Sequence, residues 1–300
     1  MSLNVRQLQI VLAVSRSGSV TTAAEALGIS QPAVSMMLRS SAEAAGFPLF
    51  RRKQGRLQPT AETKVLIAEL ERVFDGIERI NRLVGDMRDT NVGSVQVAST
   101  ATLADNVLAL AVAEFQRSRP QIQVTIRTTD IPSVVASVVQ EHVDFGLILS
   151  PSIQHEARAL ELCKGQLVAV VHPGHPLAGR GVIGPADIAP HPLISFSRAQ
   201  PLGVLVEQAF RRAGVARRIS LEVNQSSAAC ALARAGAGVA VVDPFWLVAN
   251  RDRRVVALRF RPRTEVTAQI LVARNASLSR PARLLLATLR KIAGRPDALA

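Results

Sequence analysis

Ala23-Ala24-Glu25-Ala26-Leu27-Gly28-Ile29-Ser30-Gln31-Pro32-Ala33-Val34-Ser35 is the stretch that decides the fold of this chain. A small apolar helix ends at Gly28, a residue that permits a sharp left-handed reversal. A second helix begins at once, with Ser30 in the N-cap position and Pro32 in the first turn, where a missing N–H costs nothing. Two short helices set steeply across a glycine turn form a helix-turn-helix. On the second helix Gln31, Ser35 and Arg39 recur at every fourth residue. One face is therefore polar, as a helix lying in a DNA major groove requires. Ala23, Ala24, Ala26, Leu27 and Val34 are assigned to the core.

The next run, Phe47-Pro48-Leu49-Phe50-Arg51-Arg52-Lys53-Gln54-Gly55-Arg56-Leu57-Gln58-Pro59-Thr60, reads as a hairpin anchored by Leu49 and Phe50 with Gly55 at its turn. It carries four cations and no acid. A basic hairpin beside a recognition helix acts as a wing on phosphate or minor groove. Residues 1–60 hold seven Arg plus Lys against two acids, a balance of +5, which fits a polyanionic partner. The competing readings are a solvated face for Gln31 and Ser35 and an ordinary charged turn for the hairpin.

This ordered string resembles the LysR-type transcriptional regulators: a helix, Ala-Ala-Glu-Ala-Leu at 23–27, Ser-Gln-Pro-Ala-Val-Ser at 30–35, Gly-x-Pro-Leu-Phe at 46–50, then Arg and Pro59-Thr60. The resemblance implies an α/β protein with an all-α winged helix-turn-helix head, a linker helix and a two-lobed periplasmic-binding-protein-like effector domain. The expected partners are double-stranded DNA, a small-molecule effector and further copies of the chain in a homodimer or homotetramer. RNA polymerase is a further candidate. The DNA-contacting positions are Ser30, Gln31, Pro32, Ser35 and Arg39 on the helix and Arg51, Arg52 and Lys53 on the wing. Two departures stand out. The family usually has a charged or amide side chain just after the recognition-helix Ser, where this chain has Met36 and Met37. Its usual Leu-Glu pair is Ser41-Ala42 here. Met36 either touches a thymine methyl or only packs.

Residues 61–92 are expected to be a linker helix and hinge. Leu66, Leu70, Val73, Ile77, Ile80, Val84 and Met87 are spaced 4, 3, 4, 3, 4, 3, a heptad seam suited to pairing with a second chain. A helix packed on its own domain is the alternative. Asn91-Val92-Gly93-Ser94 reads as the hinge.

From residue 93 to 300 short β-branched runs alternate with amphipathic helices. Strands are predicted at 95–98, 123–128 and 145–149, with helices at 103–117 and 132–140, a β-α-β-α-β open parallel sheet. A second cycle has strands at 167–171, 193–195, 219–223 and 239–242, with helices at 202–213 and 226–235. A strand at 267–273 and a helix at 280–293 close the chain. The resemblance implies two lobes joined by two crossings, lobe 1 taking 93–163 and 268–300 and lobe 2 taking 164–267.

Open α/β sheets bind ligands beyond the carboxyl ends of their strands. Those ends offer Ser99, Thr100 and Thr102, then Thr128, Thr129 and Asp130, then Ser150 in lobe 1. Lobe 2 offers Ser195 and Ser197, then Asn224, Gln225 and Ser226, then Asp243. Ser and Thr at helix starts, with free backbone N–H groups, suit a carboxylate. Asp130 and Asp243 are placed to meet an amine, so an amino acid or related zwitterion is the expected effector. Each Ser or Thr alone is more often a structural N-cap than a ligand contact, and the reading rests on their convergence from both lobes. The wing end Gly-Arg-Leu-x-Pro-Thr at 55–60 and the run Gly-Ala-Gly-Val-Ala-Val-Val-Asp-Pro at 236–244 resemble regulators responding to amino-acid derivatives such as opines or diaminopimelate.

Other functional classes find little support. His172 and His175 share a Pro-Gly turn without a third ligand, so no metal is expected. Gly236-Ala237-Gly238 precedes a strand and lacks the third glycine of a dinucleotide fingerprint. No Gly-x-Ser-x-Gly elbow or phosphate-binding Gly-Lys-Ser/Thr loop occurs. No catalytic residue and no cofactor are assigned. The chain has 300 residues, 48% of them hydrophobic and 20% charged, and a net charge of +13. That composition supports a proper core. Arginine dominates the surplus and continues past the head, at Arg211, Arg212, Arg217, Arg218, Arg251, Arg253, Arg254, Arg259, Arg261 and Arg263. Genomic base bias is the competing source of such a surplus. Cys163 and Cys230 are isolated, so no disulfide framework is expected. Without a signal-peptide core or an apolar run of about eighteen residues, a cytoplasmic protein is expected. A solute-binding protein with a vestigial head and a constitutive nucleoid-type binder are the alternatives to a ligand-controlled regulator.

Overall fold

The computed structural model describes residues 3–53, 56–88, 93–150, 156–249, 254–274 and 277–294. It divides into two compact units between Arg82 and Leu83.

The first unit opens with α1 (Val5–Ser17), α2 (Val20–Leu27) and α3 (Gln31–Ala45). Asn4 starts α1 through a reciprocal capping box with Gln7, both bonds at 2.9 Å. Gly28 ends α2 at φ 64°, in the left-handed region. Ser30 caps α3, its Oγ accepting from Ala33 N at 3.4 Å. Ala23 and Ala24 are buried with Ile10, Val14 and Val34, and their small side chains let the three helices approach closely. Ala26, expected in the core, is exposed, because the buried stripe of α2 runs through the residues before it.

The head is not all-α. Strands β1 (Phe50–Lys53) and β2 (Arg56–Pro59) pair antiparallel, Phe50 opposite Pro59 and Lys53 opposite Arg56. Gly55, expected at the turn, lies outside the described residues. The hairpin is docked by Leu57 N donating to Gly18 O at 3.0 Å and closed by Thr60 N donating to Leu49 O at 3.1 Å. The buried Thr60 and Thr63 hydroxyls pair at 2.9 Å and open α4 (Ala61–Arg88).

The heptad seam of α4 is packed in its first part and exposed further along. Leu66, Ile67, Leu70 and Phe74 pack on Val11, Leu12 and Leu49 of the same chain. Further along, Val73, Ile77 and Ile80 are 55%, 38% and 60% exposed. The side chains of Val84 and Met87, and hinge residues 91 and 92, lie outside what is described.

In the second unit, β3 (Gly93–Ser99) leads into α5 (Ala101–Leu103), a π turn (Ala104–Leu108) and α6 (Ala109–Ser118). Then come β4 (Ile122–Thr128), α7 (Ile131–Val139), β5 (Phe145–Ser150) and β6 (Arg158–Gln166). The second lobe holds β7 (Val168–Val171), β8 (Val182–Ile183), α8 (Pro185–Ile188), β9 (Leu193–Phe196), α9 (Pro201–Arg212), β10 (Leu221–Val223), α10 (Ser226–Arg234), β11 (Val239–Val242), α11 (Phe245–Ala249) and β12 (Val256–Phe260). The chain returns through β13 (Glu265–Val272) and ends with α12 (Arg280–Ala293).

The sheets are mixed, not parallel. The first has the order β4-β3-β5-β13-β6 and the second β10-β9-β11-β7-β12-β8. The strands linked through helices pair in parallel, as in β4-β3-β5 and β10-β9-β11, and β12 also runs parallel to β8. The crossing strands run against their neighbours: β13 is antiparallel to β5 and β6, and β7 to β11 and β12. A chain that leaves a lobe on one strand and re-enters on another must reverse direction there. The first sheet extends to Gln166 and resumes at Glu265, beyond the expected 163 and before the expected 268. One apolar cluster runs through both lobes, including Phe115, Phe145, Phe210 and Phe245.

Candidate functional site

On the head, Ser30, Gln31, Pro32, Ser35 and Arg39 are all exposed, while Val34 between them is buried. Met36 is 67% exposed beside Ser35, whereas Met37 turns into the core cluster. Ser41 is buried and donates to Met37 O at 2.6 Å, so its place in α3 is structural. Arg51, Arg52 and Lys53 are exposed on β1. The α3 face and the basic strand β1 are thus both exposed, and among the described residues Gln31, Arg39, Arg51, Arg52 and Lys53 make no side-chain hydrogen bond or ion pair.

In the second unit, a cleft of about 500 Å³ lies between the lobes. Its walls are the carboxyl ends of β3, β4, β5, β9 and β10 and the helix starts that follow them. Of the expected residues, Thr100, Thr102, Asp130, Asn224 and Gln225 line it, together with Thr128, Thr129 and Ser226. Asp130 caps α7, accepting from Ser133 N at 3.0 Å. Hydrogen bonds from the Ser133 hydroxyl and backbone hold its carboxyl below the usual range, so the rim carries a fixed anion. The N-caps of α9 and α10, Gln200 and Gln225, make no side-chain capping bond. First-turn N–H groups at such helix starts can meet an anion, although Pro201 supplies none in α9. Among the described residues the Thr100 Oγ1 and the Gln200 Oε1 are both buried without a hydrogen-bond partner. Gln200 Nε2 turns to Asn224 O at 3.5 Å, which leaves the oxygen to a donor. No Lys, Arg or His lines the cleft among the described residues.

Four expected ligand residues are corrected. Ser99 is buried and donates to Thr100 O at 3.0 Å. Ser195 is buried inside β9. Ser197 accepts from Ala199 N at 3.4 Å in the turn beyond β9, and none of the three lines the cleft. Asp243 is fully buried, accepting from Ser226 Oγ at 2.5 Å and Phe245 N at 3.0 Å. It holds the start of α10 to the start of α11 and cannot meet an amine in the cleft. The side chain of Ser150 lies outside what is described. His172 and His175 accept from Gly174 N and Leu177 N within their own turn.

Two residues were not expected from the sequence. Gln200 is one, because the chain runs on past Ser197 before α9 starts. Arg217 is the other. Its side chain is wholly buried and donates to Phe196 O and Gly203 O, at the two ends of the 196–203 turn that supplies Ala199, Gln200, Pro201 and Leu202 to the cleft. Glu207 lies 3.5 Å from Arg217 and also binds Arg198 at 3.0 Å. The turn is so tight that a Cβ on Gly203 would sit 1.9 Å from Ser197 O.

Burial pushes the Asp243 carboxyl up to about 6, against the opposing hydrogen bonds from Ser226 and the Phe245 backbone. A folded-state pKa above the unfolded value means the contribution is present at low pH and lost as pH rises through about 6. Asp243→Asn should remove a pH dependence on the order of 2 kcal/mol between pH 4 and 7. Urea unfolding of both proteins across that range checks it, and parallel stability curves would contradict it.

Comparison with known proteins agrees across both units. Residues 5–64 match the family described as "Bacterial regulatory helix-turn-helix protein, lysR family", and residues 88–293 match "LysR substrate binding domain". The transcriptional activator protein LysR of Escherichia coli is 30% identical, over 90% of this chain and 87% of that protein. The regulatory protein NocR of Agrobacterium fabrum is 29% identical, over 86% of each. The octopine catabolism/uptake operon regulatory protein OccR of Rhizobium meliloti is 30% identical, over 86% of this chain and 84% of that protein. In fold, the crystal structure of full-length CbnR complexed with target DNA superposes with a TM-score of 0.77 at 21% identity, covering 97% of this chain and 100% of that one. These relatives are transcription regulators, not enzymes. Among the described residues no helix is long and apolar enough to cross a membrane. The family matches span the recognition head and the two-lobed unit alike, and the chain belongs to the LysR family of DNA-binding transcriptional regulators with an effector-binding domain.

Proposed function

We propose that the chain is a dimeric or tetrameric, sequence-specific regulator whose promoter complex is altered by an amino-acid-derived zwitterion, acting in the cytoplasm. The proposed domains are 1–60 for the winged head, 61–92 for the dimerisation helix and hinge, and 93–300 for effector binding. The effector reading is carried by one observation: two buried side-chain oxygens without partners, Thr100 Oγ1 and Gln200 Oε1, come from opposite lobes into one cleft. An unpaired buried oxygen costs free energy that a bound ligand would recover. Asp130 suits the ligand's ammonium group and the open starts of α9 and α10 its carboxylate. The name of OccR, regulatory protein of an octopine catabolism/uptake operon, is consistent with that chemistry. Thr102, Asn224 and Gln225 complete the proposed effector set. A ligand that binds one arrangement of the lobes better than another shifts the oligomer and so the spacing of its heads. RNA polymerase is the proposed recipient of the resulting signal.

Ser30, Gln31, Pro32, Ser35 and Arg39 are proposed to face the major groove, with Met36 beside them, and Arg51, Arg52 and Lys53 the backbone or minor groove. Arg52→Ala should weaken binding to all sequences alike and lessen the salt dependence. Gln31→Ala should cost roughly 1–3 kcal/mol and relax preference at one base pair if it contacts a base edge. Selection from a random duplex library, run with both variants, reads this directly. Unchanged affinity and preference in both would remove the assignment.

A further inference from the structure

Lobe 2 carries a row of guanidinium groups remote in sequence from the head. In β12 and the segment after it, Arg259, Arg261 and Arg263 are exposed, while Phe260 between the first two is buried. Alternation along an extended chain puts Arg259 and Arg261 on one side. Arg259 stands opposite Val182 of β8, and Arg261 N donates to Ile183 O at 2.9 Å, so the backbone beneath both is held by pairing. Among the described residues none of the three arginines has an ion-pair partner. The nearby acids are already engaged: Asp187 with Arg180, and Glu265 with Lys164 at 3.0 Å. Three exposed positive charges, one on β12 and two in the segment after it, are thus left without a charge partner among the described residues.

We propose that this row is a second, sequence-independent contact for duplex DNA, gripping backbone phosphates. Three features favour that occupant. Guanidinium groups suit phosphate oxygens in geometry and charge. The row is tethered to a head that binds DNA, so DNA is its most concentrated polyanion. Among the described residues of β8, β12 and the segment after it there is no exposed large hydrophobic side chain of the kind that centres a protein interface.

The test uses the full chain and a fluorescent 60-bp duplex of random sequence. The variant is Arg259→Gln, Arg261→Gln and Arg263→Gln together, substitutions on exposed side chains. An equal loss of charge, Arg211→Gln, Arg212→Gln and Arg218→Gln, is the control for bulk electrostatics. The row variant should bind on the order of 10-fold more weakly, and its slope of log affinity against log salt should fall by about 2.7, the release expected for three phosphate contacts. The control should change much less. Unchanged affinity and slope in the row variant would overturn the proposal, as would an equal loss in the control. If DNA binding is unchanged while promoter output in cells falls, the row serves an acidic protein and the proposal is likewise overturned.

Discussion

Ile77→Glu should convert the protein to monomers that stay folded but lose tight binding to a two-half-site operator. Ile77 is 38% exposed in the single chain, flanked by Val73 and Ile80 at 55% and 60%. A glutamate there meets water in the monomer and costs the fold little. Against its twin in a paired helix it would bury charge without a partner, at several kcal/mol. The two effects separate because the earlier seam residues, Leu66 and Leu70, pack within the head and are untouched. Binding should fall by orders of magnitude, since two heads must grip together. Sedimentation of the variant reads the outcome. An intact dimer would mean that the exposed part of the seam is not the pairing surface.

Arg217→Met should cost about 3 kcal/mol or more and loosen the cleft wall. The substitution keeps the apolar stem but strands Phe196 O and Gly203 O, which the guanidinium now satisfies. It also leaves Glu207 with Arg198 alone. Lys keeps the charge without the planar fork, so Arg217→Lys should fall between the two. Hydrogen exchange should rise first across residues 197–203, before the rest of lobe 2. An Arg217→Met protein as stable as the parent, with unchanged exchange there, would contradict this account of the turn.

The parts of the fold legible in the sequence are those written in local chemistry. Gly28, Ser30 and Pro32 each demand a specific backbone, and together they placed two helix ends to the residue. The sheets were less legible, because hydrophobic periodicity reports strands but not direction. β13 was expected as a strand, yet nothing local says that it runs against β5. The seam of α4 reads as a pairing surface with intrachain packing as the alternative; Leu66 and Leu70 pack within the head while Val73, Ile77 and Ile80 are exposed, because a heptad pattern does not say what each part of it packs on. At the cleft, strand ends were legible and side-chain direction was not. Thr100 and Thr102 face the cavity, but Ser99 one residue earlier points into the sheet. Asp243 reads as a binding acid and is a buried tie between Ser226 and Phe245. Gln200 and Arg217 act through long-range geometry, the turn after β9 and a guanidinium fourteen residues beyond Gly203, and no local pattern marks them.

The claim that a small ligand controls this regulator from the cleft rests most directly on Thr100. Thermal unfolding of the full chain should be followed with octopine, L-lysine and L-arginine as probes, for the parent and for Thr100→Val. The substitution keeps shape and removes only the hydroxyl that is buried without a partner. A ligand at a hundred times its Kd stabilises by about 2.7 kcal/mol, or roughly 5–10 °C for a domain of this size. The account predicts such a shift in the parent for at least one probe, and its loss in Thr100→Val with the unliganded transition unmoved. A variant that shifts as far as the parent, or a parent that responds to none of them, would contradict it.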